Sequence, residues 1–72
     1  MSGWARFGNV IIPLSSVTSI SIKSTGDGKF YVEVHRYAGG SLVFHQTPVI
    51  ATKAEADRTA ERIAYGLYWE GT

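Results

Sequence analysis

Between Val17 and Gln46 the chain carries three apolar–polar alternations separated by glycine-rich breaks, VTSISIK, KFYVEVHRY and SLVFHQ. A two-residue period sends successive side chains to opposite faces, so each run reads as a strand with one face buried. In the first run Thr18, Ile20 and Ile22 share a face and Ser19 and Ser21 take the other. In the second, Phe30, Val32 and Val34 lie opposite Tyr31, Glu33, His35 and Tyr37. Short breaks join such runs as antiparallel neighbours. This segment therefore constrains the fold more than any other.

Register follows from loop length. A loop over Ser24, Thr25, Gly26, Asp27 and Gly28 sets Ile22 opposite Phe30 and Ile20 opposite Val32, which brings the apolar faces together. The break at Ala38, Gly39 and Gly40 has two solutions. A two-residue Gly-Gly turn sets Val34 opposite His45. A three-residue loop with Gly40 left-handed sets Val34 opposite Phe44 and Arg36 opposite Leu42. The second keeps the apolar faces in agreement and is the one expected.

Upstream, Met1 to Gly3 is expected to fray. Trp4 to Phe7 and Val10 to Ile12 flank Gly8 and Asn9, a pair suited to a tight hairpin turn. Pro13 ends the second strand, because it has no N–H to donate, and a 3₁₀ turn over 13–16 connects onward. Downstream, Pro48 stops the last strand and 47–51 crosses to a helix expected from Thr52 to Glu70. Thr52 and Glu55 have the spacing of a capping box. At about 100° per residue Ala56, Ala60, Ile63, Ala64 and Leu67 form one apolar stripe. Arg58, Arg62, Tyr65 and Trp69 form a second on the other side.

The predicted fold class is α+β: an antiparallel β-meander of four to five strands with one C-terminal α-helix packed on one face. Residues 1–72 make a single small domain. In order of elements alone it is similar to pleckstrin-homology-like and simple β-meander-plus-helix domains. The expected core joins Ile20, Ile22, Phe30, Val32, Val34, Leu42 and Phe44 to Ala56, Ala60, Ile63 and Leu67.

Composition enters as a set of exclusions. At 72 residues and without cysteine, the chain has no disulfide framework, thiolate zinc site or cysteine nucleophile to staple or activate it. A formal net charge of +1 lacks the basic footprint of a dedicated polyanion binder. No apolar run approaches the roughly 20 residues that span a bilayer, and the N-terminus lacks the apolar stretch of a secretory signal. A cytoplasmic location is the expectation.

Three constellations are candidates for function. Glu33, His35 and His45, clustered in the expected register, could hold a metal or act as an acid–base pair. An open sheet face has no pocket to exclude water, so neither a metal site nor a catalytic residue is expected, and no cofactor or small-molecule substrate is implied. The serines of 15–19 lack a nucleophile elbow, and Gly26-Asp27-Gly28-Lys29 lacks the spacing of a phosphate loop. Tyr31, His35 and Tyr37 could stack single-stranded bases, with Lys23 opposite Lys29 at one end and Arg36 at the other. Glu33 in mid-face and the near-neutral charge count against nucleic acid. Arg58, Arg62, Tyr65 and Trp69 combine the residue types that dominate protein interfaces, unless Trp4 and Phe7 cover the aromatics.

The leading expectation is a small non-enzymatic protein-interaction module that binds another protein or itself as a homodimer. It would use Tyr31, His35 and Tyr37, or the stripe Arg58, Arg62, Tyr65 and Trp69. A bacterial or phage protein that modulates a larger complex suits this size. The alternative is a single-stranded nucleic-acid-binding module using the aromatic sheet face. No membrane partner is expected.

Overall fold

The computed structural model describes residues 3–70. Met1 and Ser2, included in the expected fraying, lie outside that range. Gly3 does not fray: its carbonyl accepts the Leu14 N–H at 3.0 Å. The elements are β1 (Trp4–Phe7), β2 (Val10–Pro13), a 3₁₀ turn (Leu14–Ser16), β3 (Val17–Ser24), β4 (Phe30–Ala38), β5 (Ser41–Gln46) and α1 (Lys53–Ala64). The fold is α+β as expected, with its antiparallel strands divided between a β1–β2 sheet and a β3–β4–β5 sheet.

The first hairpin turns on Gly8, at φ 60°, and pairs Phe7 with Val10 and Ala5 with Ile12. In the larger sheet Ile22 pairs with Val32 and Ile20 with Val34, and the register is interrupted between Val17 and Ser19. That is two residues away from the expected pairing. A shift of two leaves every side chain on its own face, so the inner surface is unchanged.

The β4–β5 register corrects the expectation with larger consequences. Ala38 pairs with Ser41, and Val34 faces His45 rather than Phe44. Gly39 and Gly40 have φ of 59° and 83°. Two successive positive values make the two-residue hairpin turn that matches strand twist, and glycine adopts it without a Cβ penalty. Local turn chemistry overrides face matching. The one-residue difference sends Leu42 and Phe44 to the outer face and turns Val43 and His45 inward.

The helix begins as its sequence implies, with the Glu55 N–H donating to Thr52 Oγ1 at 3.2 Å. It ends earlier. Gly66, at φ 75°, closes a Schellman motif in which the Gly66 and Leu67 amides donate to the Ile63 and Arg62 carbonyls at 3.1 and 2.8 Å. Beyond it the chain is extended. The Arg6 N–H donates to the Tyr68 carbonyl at 3.1 Å and the Glu70 N–H to the Arg6 carbonyl at 3.0 Å, a parallel bridge centred on Trp69. Residues 68–70 thus lie beside β1, opposite the β2 side.

Helix α1 packs on β3 and β4 through Ala56, Ala60 and Ile63, while the hairpin covers the rest of the inner face. The core consists of Ala5, Phe7, Ile12, Leu14, Val32, Val34 and Ile63. Three expected core residues are surface residues instead: Leu42 is 53% exposed, Phe44 61% and Leu67 65%. The hairpin supplies the volume they were expected to fill.

Candidate interaction surface

The outer face of the β3–β4–β5 sheet is built by alternation. β4 contributes Tyr31, Glu33, His35 and Tyr37, and β5 contributes Leu42, Phe44 and Gln46 opposite Tyr37, His35 and Glu33 respectively. Tyr37, Leu42 and Phe44 are 59%, 53% and 61% exposed and adjoin one another. His35 tilts against Phe44 with ring centroids 5.7 Å apart. Among the described residues no element covers this face, because the helix and the hairpin both pack on the other side. A contiguous apolar patch bordered by polar groups is a common mark of a contact surface.

The polar border is fixed internally. Glu33 Oε1 contacts His35 Nε2 at 2.7 Å, and Gln46 Nε2 donates to Glu33 Oε2 at 2.9 Å. Hydrogen bonds from His35 and then Gln46 hold the Glu33 carboxyl below the usual carboxylate range. Glu33 is thereby occupied by its neighbours, and His35 is oriented toward the aromatic patch.

The expected cluster of Glu33, His35 and His45 does not form. His45 points to the inner face, where its Nε2 accepts from Arg36 Nε at 3.0 Å and its ring stacks on Phe7 with centroids 5.5 Å apart. Burial, reinforced by the Arg36 charge, pushes the His45 imidazole below its ordinary value and keeps it neutral. Among the described residues, no group of three or more His, Cys, Asp or Glu is placed to hold a metal ion. Phe7, Phe44, His45, Gln46 and Glu70 line a shallow cleft of about 390 Å³ between β5 and the C-terminal segment.

The basic flanks also move. Lys23 pairs with Tyr31, not Lys29, and Lys29 belongs to the preceding loop. Arg36 alternates onto the inner face with Val32 and Val34, where it bonds to His45. The outer face therefore carries Lys23 as its cation.

On the helix, Arg58, Arg62 and Tyr65 are exposed on the side away from the core, and Arg62 Nη2 donates to the Leu67 carbonyl at 3.3 Å. Trp69 is not the end of that stripe, because the helix stops at Ala64. Tyr68 packs on Phe7, with centroids 5.1 Å apart, and its hydroxyl donates to Glu70 Oε1 at 2.9 Å. Burial, then that carboxylate, raises the Tyr68 phenol well above its usual range. Tyr68 escapes a helical reading of 52–70, and the signal that reveals it is Gly66.

Among the described residues no helix is long and apolar enough to cross a membrane. Comparison with family models, curated proteins and solved structures gave no significant match.

Proposed function

We propose that the protein is a small non-enzymatic interaction module that binds protein through the outer face of its larger sheet. The supporting observation is the contiguous exposure of Tyr37, Leu42 and Phe44 beside Tyr31 and His35, on a face that none of the described residues covers. Isolated exposed apolar residues are ordinary, whereas an aromatic-rich cluster on one rigid sheet is a natural anchor set. The face is open, so shape favours a broad macromolecular surface over an enclosed small molecule. The helix side, Arg58, Arg62 and Tyr65, is the weaker claimant, since its exposed apolar side chains, Tyr65 and Leu67, stand beside two arginines that a buried centre would have to desolvate.

The test combines association with stability. Leu42→Ser together with Phe44→Ser should abolish self-association, or retention of a protein partner from lysate of the producing cell. The pair of changes should cost less than about 1 kcal/mol of stability, because both side chains are more than half exposed. Unchanged association in this variant, or its loss on Arg58→Ala, Arg62→Ala and Tyr65→Ala, would move the surface to the helix.

The second reading is a single-strand binder that stacks bases on Tyr31, His35 and Tyr37, with Phe44 beside them. It is favoured only by the aromatics. With Arg36 turned inward and Glu33 in mid-face, the face lacks the basic stripe that supplies most nucleic-acid affinity. Binding of short oligonucleotides that falls steeply with salt and is lost on Tyr31→Ala would favour it.

A further inference from the structure

The strand edges of this fold are not equally protected. β2 ends in Pro13, the register of β3 slips between Val17 and Ser19, and β3 carries Lys23 near its end. Residues 68–70, beside β1, carry the charge of Glu70. Proline, irregularity and charge are devices by which proteins keep edges from pairing. β5, Ser41–Gln46, has none of these: it is regular, has no proline and carries no charged side chain.

Its free groups can be placed from the register. Ala38 and Ser41 close a two-residue hairpin and so form a hydrogen-bonded pair, as do Arg36 with Val43 and Val34 with His45. The Thr47 N–H to Val32 carbonyl bond at 2.9 Å continues the same series. The N–H and C=O groups of Leu42 and Phe44 therefore point away from β4. Those residues also carry the exposed side chains of the outer face.

We infer that β5 pairs antiparallel with β5 of a second copy, joining two three-stranded sheets into one six-stranded sheet with a continuous outer face. This rests on the outer-face reading above and names its partner. A two-fold axis normal to the sheet keeps both outer faces on the same side. With Val43 opposite its own copy, Leu42 lies opposite the partner's Phe44 and Phe44 opposite the partner's Leu42. The outer row then runs Tyr37, Leu42, the partner's Phe44, the partner's His35, and its symmetric mate completes it. Every cross-seam neighbour is apolar or uncharged, so no like charges meet and no charge is buried at the axis. This register is centred on Val43, and the cleft that Phe44, His45 and Gln46 share with Phe7 and Glu70 lies at one end of the seam. One strand seam lies at the low end of interface size, roughly 1,200 Å² or less, so the dimer is weak and concentration-dependent.

The experiment is amide hydrogen exchange on the full chain at about 5 and about 500 μM, with molar mass by sedimentation, since exchange reports local protection residue by residue. Mass should approach that of a dimer at the higher concentration. The Leu42 and Phe44 amides should slow by about fivefold or more, whereas the Val43 amide, already bonded to β4, should not change. Val43→Lys and Val43→Glu supply a second test. Each alone should remain monomeric, and an equimolar mixture should dimerise. A wild-type chain monomeric at both concentrations would overturn the inference, as would a dimer with unchanged Leu42 and Phe44 exchange or equal dimerisation of either variant alone. Val43 lies on the inner face, so its variants leave the outer face intact. A monomer that still binds a partner through Phe44 would refute edge pairing alone.

Discussion

Replacing Ile63 by alanine should lower stability by about 2–5 kcal/mol, whereas Leu67→Ala and Phe44→Ala should each stay within about 1 kcal/mol of the wild type. Ile63 is fully buried among Ala5, Phe7, Ile12, Leu14, Val32 and Val34, at the point where the helix, the hairpin and the sheet meet. Truncating it removes transfer free energy and leaves a cavity that three separate elements cannot all collapse to fill. Leu67 is the last residue of the Schellman motif and Phe44 lies on the outer face, and each already meets solvent. A domain of this size has a total stability of about 4–11 kcal/mol, so the Ile63 variant gives up a large share of it. Its melting temperature should fall by about 10 °C or more. Equal losses for Ile63→Ala and Leu67→Ala would mean that the helix continues past Gly66.

Thr47→Val is the second large effect, with an expected cost of about 1–3 kcal/mol despite the near-equal volume. Thr47 is buried at the point where the chain leaves the sheet. Its N–H donates to the Val32 carbonyl, but its hydroxyl, not its own carbonyl, accepts the Val32 N–H at 3.0 Å. The hydroxyl in turn donates to the Pro48 carbonyl at 3.0 Å. The side chain thus completes the last rung of the β4–β5 ladder while Pro48 turns the backbone away. Valine would leave a buried N–H without a partner, and Thr47→Ser would retain the bond. Urea unfolding should show a lower midpoint for valine with an unchanged slope. Identical midpoints for valine and serine would show that the hydroxyl contributes nothing.

These expectations differ from those drawn from the chain alone, and the differences have identifiable causes. Alternation located β3, β4 and β5, and the Thr52 cap located the start of α1, because those signals are local and unopposed. At Gly39 and Gly40 two rules conflicted. Face matching favoured a three-residue loop, while paired glycines favour a turn with two positive φ values, and the turn prevailed. Gly66 was hidden within an otherwise amphipathic run, where the apolar stripe runs through it to Leu67. The contribution of Ala5 and Phe7 was hard to read because β1 is only four residues long, too few to establish a period.

The surface was legible to a similar degree. Tyr31, His35 and Tyr37 do share one face. Leu42 and Phe44, which complete the patch, were placed in the core by the same one-residue register choice that moved His45 inward. The Glu33, His35 and His45 cluster and the exposed Tyr37, Leu42 and Phe44 patch are thus alternative outcomes of one turn. The Arg58, Arg62 and Tyr65 side of the helix is unaffected by that choice, and it remains the surface against which the sheet face must be judged.

The most direct test of the sheet face as the working surface is the backbone amide NMR spectrum recorded over a concentration series, and again with any retained partner. Shift changes should be confined to Tyr31, His35, Tyr37, Leu42 and Phe44 and their immediate strand neighbours, with the signals of Arg58, Arg62 and Tyr65 unmoved. Changes that gather on those helix residues, or a spectrum that does not change under either condition, would contradict that role for the sheet face.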